Sequence, residues 1–191
     1  MKTHPLSLAL LLGGLLPLSA LAAPQTYKID AGHTQIHWEA DHQQTSTNRG
    51  RFSSISGSVV LDREAKTGKV DVSIDMLALS TGIANFDKHL SSPDFFDTAK
   101  YATATFAGDQ VVFDGDKVSS VSGTLTLLGK SKPVTLKALR FNCYENKWTK
   151  KQACGGDFET TLQRSQWGME YGLPGIPDNV LVRIQAEAGA E

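Results

Sequence analysis

The sequence predicts an all-β domain built from short antiparallel strands. Apolar and polar side chains alternate along residues 34–42, 70–76 and 180–187, with the period of two that is typical of half-buried strands. Turn-forming runs rich in Gly, Pro, Asp and Lys separate the strand candidates at short intervals, which favours antiparallel pairing. A single helical segment is too little for an α/β fold. The alternation therefore indicates a sandwich or a barrel and does not decide between them.

Alternation also predicts which side chains share a face of each strand. In the first alternating segment, Ile36 and Trp38 lie on the same side as His42, which makes this histidine the polar residue on the apolar face. In the second segment, Ile74 and Met76 share the apolar side. Further strands are predicted at residues 52–62, 102–107, 110–114, 117–128, 134–142 and 156–164.

Residues 79–106 interrupt the strand pattern. Ile83, Phe86 and Leu90 are spaced i, i+3 and i+7, which predicts a short helix with these three side chains on one face, ended by Pro93. The helical insert is expected at about residues 81–97.

A second helical turn is predicted directly after this helix. Ser92 is a suitable N-cap and is followed by proline at the first helical position, with Phe95 and Phe96 next in the chain. Together with Phe86 and Leu90, these rings place four large apolar side chains on a connection, where side chains are usually polar. We expect them to be buried.

The first 22 residues resemble a bacterial secretory signal peptide. Lys2 provides a positive start, residues 6–16 form an apolar run, and Ala20-Leu21-Ala22 is a small-x-small cleavage site. The run is too short, and too interrupted by glycine and proline, for a membrane anchor. We therefore expect export to the periplasm, cleavage after residue 22, one domain at residues 23–191 and no stable membrane insertion.

The charge of the remaining domain argues against nucleic acid as a partner. Without residues 1–22 the chain has 18 basic and 20 acidic side chains, a net charge of −2, and the two signs are interspersed along the sequence. A polyanion binder gains affinity from a basic excess on one face. This sequence has none.

Cys143 and Cys154 are the only cysteines, and we predict a disulfide between them. An exported chain reaches an oxidising compartment, and residues 145–147 form a plausible turn that brings the two sulfur atoms together across a hairpin. A metal pair or a redox pair is disfavoured because the sequence has no C-x-x-C motif and no nearby histidine.

The sequence contains few candidates for catalytic residues. His33 and His37 lie on the outward side of their strand and His42 on the opposite side, so a metal site would need His89 and a carboxylate. No nucleophile or phosphate-binding motif is present. His42 is either a core histidine with its polar groups satisfied or a contact for the polar end of a ligand. The sequence predicts no enzyme, no metal and no catalytic residue.

The order and spacing of several short motifs resemble the YceI-like family of bacterial periplasmic proteins. The match covers nearly the whole domain, and the motifs are specific as a set rather than singly. They are Tyr27-Lys28-Ile29-Asp30, His33-Thr34, Arg49-Gly50-Arg51-Phe52, Gly57, Thr81-Gly82, Asp87-Lys88-His89-Leu90, Asp94-Phe95-Phe96-Asp97, residues 101–106, Gly123-Thr124-Leu125-Thr126, Gly129 and Lys132-Pro133-Val134.

The resemblance implies a lipocalin-like antiparallel barrel of about eight strands around a hydrophobic tunnel. It also implies a long-chain ligand such as a polyisoprenoid, a quinone-like molecule or a fatty amide, with no other cofactor. The residues expected at the tunnel wall or its end are Ile36, Trp38, Ile74, Met76, Phe86, Leu90, Phe95, Phe96, Trp167 and Met169. The residues expected at the ligand head group are His42, Arg49 and His89.

Two other functions stay open at this point. One is an exported metal-dependent or hydrolytic enzyme that uses His33 and His89, and the other is a stress-related interaction module whose barrel is only a scaffold. The sequence also leaves open whether the chain forms a homodimer.

Overall fold

Alternating strands join into one antiparallel sheet in the computed structural model, which describes residues 23–191. The predicted signal peptide lies outside these residues. Within them the strands are β1 (Gln25–Ile29), β2 (Gln35–His42), β3 (Ser46–Phe52), β4 (Ile55–Asp62), β5 (Thr67–Asp75), β6 (Leu79–Ser80), β7 (Thr103–Asp114), β8 (Lys117–Leu127), β9 (Lys130–Glu145), β10 (Gln152–Gln163) and β11 (Asn179–Ala190). The one α-helix of the described residues is α1 (Ala84–Leu90), and short 3-10 helices cover Met76–Ala78 and Arg164–Trp167.

These eleven segments of the described chain make eight barrel strands. Strands β1 and β2 follow each other along the same edge of β11, since Ile29 pairs with Ala188 and Gln35 pairs with Gln185. They act as one long strand with a bend between them. In the same way, β3 and β4 together act as one long strand, and so do β5 and β6. Strand β3 pairs with β2 and β4 pairs with β1, while β6 pairs with β3 and β5 pairs with β4.

The sheet closes on itself through β11, which pairs with β10 on one edge and with β1 and β2 on the other. The other strands pair with their chain neighbours, so the barrel is an up-and-down antiparallel meander. The predicted lipocalin-like barrel of about eight strands with one helical insert is confirmed.

Some predicted strand boundaries are wrong. Residues 53–54 break the strand predicted at 52–62, and residues 102–107 and 110–114 join into β7 through a bulge between Gly108 and Gln110. Strand β9 begins at Lys130 instead of the predicted residue 134, because Leu128 and Gly129 alone form a two-residue hairpin turn with positive φ angles of 51° and 70°.

The helical insert differs in detail from its prediction. Helix α1 starts one residue after Ile83, whose backbone is extended and whose side chain is 62% exposed, so Ile83 does not share the buried face of Leu90. No second helical turn follows. Instead, the Ser92 carbonyl accepts hydrogen bonds from the backbone of Phe95 at 3.0 Å and of Asp97 at 2.9 Å, which forms a tight turn.

The disulfide prediction is confirmed. Cys143 on β9 and Cys154 on β10 are directly paired in register, with their Cα atoms 4.0 Å apart and an S–S distance of 2.06 Å. The bond closes the hairpin whose turn spans residues 146–151.

Replacing both Cys143 and Cys154 by Ser should lower the free energy of unfolding by about 3 kcal/mol, because the unfolded chain regains the entropy of an open loop. Urea unfolding of the oxidised protein and of the variant measures this difference. A reductant should shift the unfolding midpoint of the wild type and leave that of the variant unchanged. An equal midpoint for the two oxidised proteins would contradict the expectation.

Candidate functional site

The barrel encloses a cavity of about 690 Å³ whose lining is mainly apolar. The alternating residues predicted to share one face all point to it. In β2 these include Ile36 and Trp38, in β5 Val70 and Ile74, and in β11 Val182, together with their neighbours two positions away. A period of two in a closed sheet thus produces a continuous apolar inner surface.

One end of the cavity is closed. Tyr27 is 1% exposed and its hydroxyl donates a hydrogen bond to Gln152 Oε1, which links β1 to the start of β10 at this end. Burial raises the pKa of the Tyr27 phenol, and the charge of Arg63 acts in the opposite direction. The neutral phenol thus stays a donor at ordinary pH.

The opposite end, where α1 lies, is the open one. Here the lining includes the exposed residues Gln43, Tyr171, Gly172 and Gly175, from the β2–β3 turn and from the segment that follows β10. We call this end the mouth. Because β2 runs toward the mouth and ends at His42, that histidine lies in the lining close to the mouth.

The insert packs into the mouth end of the barrel. The ring of Phe86 contacts that of Trp38 edge-on, with centroids 6.5 Å apart, and the ring of Phe96 contacts that of Phe52 edge-on at 5.3 Å. Leu90 at the end of α1 is buried and also lines the cavity. The four large apolar side chains of the insert therefore both cover the barrel end and form part of the cavity wall.

A cluster of three rings joins the insert to the segment after β10. His89 contacts Phe95 and Tyr171 edge-on, at centroid distances of 5.1 Å each, and Phe95 lies 5.4 Å from Tyr171. His89 Nε2 is also 3.3 Å from Asp94 Oδ2. This aromatic cluster of His89, Phe95 and Tyr171 lies at the cavity mouth.

Arg164 fixes the position of Tyr171, the member of the aromatic cluster that does not belong to the insert. Its side chain is 5% exposed, and its guanidinium donates to the carbonyls of Met169 at 2.7 Å, Ile176 at 2.9 Å and Pro177 at 3.1 Å. Burial lowers the pKa of the guanidinium, whereas the nearby Asp178 carboxylate raises it. The arginine thus holds residues 169–177 in a fixed loop that carries Tyr171 to the mouth.

Trp38 can lie against the barrel wall only because Gly50 faces it. A Cβ atom at Gly50 would lie 2.3 Å from Trp38 Cζ2 and 2.8 Å from Nε1, well inside contact distance. The two residues are directly paired across β2 and β3. The glycine thus leaves room for the indole, which would otherwise be displaced.

The structure brings most of the predicted site residues together around the cavity. Those that line it are Ile36, Trp38, Ile74, Met76, Phe86, Leu90, Phe95, Phe96, Met169, His42 and His89.

Two predicted site residues lie elsewhere, so their placement at the cavity is corrected. Arg49 points outward from β3, with its side chain mostly exposed and its guanidinium 3.5 Å from the Glu39 carboxylate. Trp167 is 2% exposed but lies in the 3-10 helix after β10, where it lines a separate polar depression with Gln163 and Gln166.

The residues proposed for an enzyme do not converge. His33 lies on the surface with Nδ1 2.8 Å from Asp30 Oδ2, a hydrogen bond that raises the pKa of His33, and it is absent from the lining that contains His89. Within residues 23–191, no three or more His, Cys, Asp or Glu side chains are arranged to hold a metal ion. In the same range, no helix has both the length and the apolar character needed to cross a bilayer.

Residues 27–188 match the family model described as the YceI-like domain. The chain belongs to the YceI-like family. Among its YceI-like relatives, a UPF0312 protein of Pseudomonas aeruginosa is 34% identical over 182 residues, which are 94% of each chain. A UPF0312 protein of Vibrio parahaemolyticus is 34% identical over 154 residues, covering 80% of this chain and 82% of that protein.

Solved structures of YceI-like proteins share the fold. The Campylobacter jejuni YceI protein superimposes with a TM-score of 0.69 at 27% identity, covering 79% of this chain and 90% of that one. A polyisoprenoid binding domain from Saccharophagus degradans has a TM-score of 0.62 at 18% identity, covering 87% of this chain and 99% of that one. The second similarity shows the fold alone.

Sequence reasoning missed Arg164 and Tyr171 at the mouth of this YceI-like barrel. Both follow β10, in a region without periodicity, so alternation gives no signal for their direction. The signal that could have found Arg164 is its position directly after a strand and before a loop rich in Gly and Pro, whose carbonyl groups need donors.

Replacing Gly50 by Ala should lower the free energy of unfolding by about 1–3 kcal/mol, since the added methyl group must displace Trp38. Gly189 on β11 is the matched control, because a Cβ there meets nothing within 4 Å. Its replacement by Ala should change stability by less than about 0.5 kcal/mol. Urea unfolding measures both, and equal stabilities of the two variants would refute the steric account.

Proposed function

We propose that the protein is a periplasmic binding or carrier protein that holds a long-chain polyisoprenoid, or a related amphiphilic lipid, in the barrel. The observation that carries the proposal is the apolar cavity, closed at the Tyr27 end and open at the other. Such a shape accepts a chain from one side and shields it from water. Burial of apolar carbon supplies the binding free energy, about 0.8 kcal/mol per methylene before ordering costs.

The volume of the cavity limits the length of chain that it encloses. At about 30 Å³ per heavy atom, the liquid volume of a water molecule, a cavity of about 690 Å³ holds roughly 20 heavy atoms. This corresponds to about four isoprene units. A longer chain would have to leave part of its length outside the mouth.

The polar end of the ligand belongs at the mouth. His42 and His89 are the predicted head-group residues that line the cavity, and both lie toward this end. Arg49 is not part of this proposal, because its side chain points away from the cavity. The wall that contacts the chain consists of the inward residues of the strands and of Phe86, Leu90, Phe95 and Phe96 from the insert.

Export to the periplasm is supported by one prediction and one observation. The predicted signal peptide at residues 1–22 and the Cys143–Cys154 disulfide both suit export to an oxidising compartment.

The Saccharophagus degradans structure with the same fold is described as a polyisoprenoid binding domain. We propose that this chain binds a lipid of the same class and performs no covalent step.

Protein purified from its own host should carry a lipid that native mass spectrometry detects and organic extraction identifies. Replacing Phe86 by Ser should reduce the bound fraction roughly tenfold, because it removes an apolar contact from the wall. Ile83 is the matched control on the same insert, since its exposed side chain does not line the cavity. A wild-type protein that is always empty would refute the proposal.

Affinity for a series of prenyl alcohols should rise roughly tenfold or more with each isoprene unit, and level off at about four units. Replacing Val118 by Phe, near the closed end of the cavity, should move this plateau to shorter chains and spare the affinity for the shortest. Competition against a bound fluorescent lipid measures the affinity for each alcohol of the series. Affinity that does not depend on chain length would contradict burial of the chain.

A further inference from the structure

The turn between β9 and β10 carries an exposed aromatic side chain among lysines. Trp148 is 89% exposed, which is more than any other large apolar side chain of the described residues. Lys147, Lys150 and Lys151 are exposed beside it. We call residues 146–151 the hairpin tip. A single exposed apolar side chain is common on protein surfaces, so the informative feature is the combination of this ring with three exposed lysines on one projecting turn.

The hairpin tip is ordered by its own backbone contacts. Asn146 Oδ1 accepts hydrogen bonds from the backbone of Trp148 at 2.9 Å and of Thr149 at 3.1 Å. The Asn146 carbonyl accepts from the Lys150 backbone at 2.8 Å, and its amide donates to the Lys151 carbonyl at 2.9 Å. With the disulfide at its base, the hairpin presents Trp148 in a preorganised conformation.

The charge of the hairpin tip is positive. Among the ion pairs of residues 23–191, Lys66 is paired with Asp116 and Lys69 with Asp71, whereas none involves a lysine of the tip. The acidic side chain adjacent to the tip in sequence is Glu145. A chain with a net charge of −1 thus concentrates three lysines around its most exposed ring.

We propose that the hairpin tip docks on the surface of bilayers that contain anionic phospholipid. Tryptophan is favoured at the membrane–water interface, where its ring is buried and its N–H stays hydrated. Lysines near an anionic bilayer surface are attracted to the phosphate groups, and several act together. An aromatic ring flanked by cations is complementary to both parts of that surface.

Docking by the hairpin tip does not cover the cavity mouth. Strand β9 starts at the mouth end, and its far end leads into the tip, which therefore lies at the closed end of the barrel near Gln152. The docked protein would keep its mouth directed away from the contacting membrane. The inference goes beyond the proposed function and holds whatever the cavity contains.

Vesicles of phosphatidylglycerol mixed with phosphatidylcholine, compared with vesicles of phosphatidylcholine alone, test the docking. The purified protein should sediment with the anionic vesicles at low ionic strength and be released by salt. Trp38 and Trp167 are 7% and 2% exposed, so quenching by acrylamide reports mainly on Trp148. Anionic vesicles should protect the tryptophan emission from acrylamide and shift it to shorter wavelength.

Replacing Lys147, Lys150 and Lys151 together by Gln should weaken binding to the anionic vesicles roughly 10- to 100-fold. The matched control replaces three exposed lysines elsewhere, Lys28, Lys88 and Lys137, and changes the net charge equally. It should retain most of the affinity.

Three results would overturn the proposal. They are no binding of the wild type to anionic vesicles at low salt, an equal loss of affinity in both triple variants, and binding without a change in acrylamide quenching. The last would assign the contact to another surface of the protein. A tip that serves an acidic protein partner instead would give the first result.

Discussion

Pairing of both edges of β11 is the constraint on which the rest of the structure depends. This strand holds β10 on one side and β1 with β2 on the other, so the sheet has no open edge where the ring closes. Once the ring is closed, every side chain at an even position of β2 must face the same enclosed space. An eight-stranded barrel is just wide enough for that space to be either filled by side chains or left to one ligand.

The placement of the inward side chains decides whether the enclosed space is filled by side chains or left to a ligand. Gly50 lets the indole of Trp38 lie against the wall, so the largest side chain of β2 does not extend across the lumen. Alanines such as Ala40 and Ala104 take other inward positions and add little volume. Of the bulky rings that line the cavity, Phe52, Phe106 and Phe141 come from strands, whereas Phe86 and Phe96 come from the insert at the mouth. The barrel is closed at the Tyr27 end, open at the mouth and hollow between them.

Alternation predicts which strand side chains line the cavity, but it does not predict the site residues outside the strands. A period of two predicts that Ile36, Trp38 and His42 share one face, and all three line the cavity inside the closed sheet. The prediction for Arg49 rests on a motif rather than on its register, and Arg49 pairs with Glu39 across the strands, which directs it outward. Segments outside the strands have no regular period, so the position of a residue in the sequence does not predict the direction of its side chain.

The same limit applies to Ile83 and Trp167. A spacing of three residues placed Ile83 on the helix face of Phe86, but the helix begins one residue later, and Ile83 precedes it in an extended conformation. Trp167 is as buried as a cavity residue, yet it belongs to a 3-10 helix packed outside the lumen. Whether such a residue is inside or outside depends on tertiary contacts that the sequence does not encode locally.

The contacts that hold the residues of the mouth in place differ greatly in their contribution to stability. Each ring pair in the cluster of His89, Phe95 and Tyr171 contributes about 0.5–1.5 kcal/mol, and the rings of His89 and Tyr171 are partly in water. Arg164, by contrast, is buried and makes three hydrogen bonds, each of which contributes about 1.5–3 kcal/mol when a charged group takes part. The loop that carries Tyr171 is therefore held mainly by its own arginine, and the ring contacts between Tyr171 and the insert add a smaller contribution.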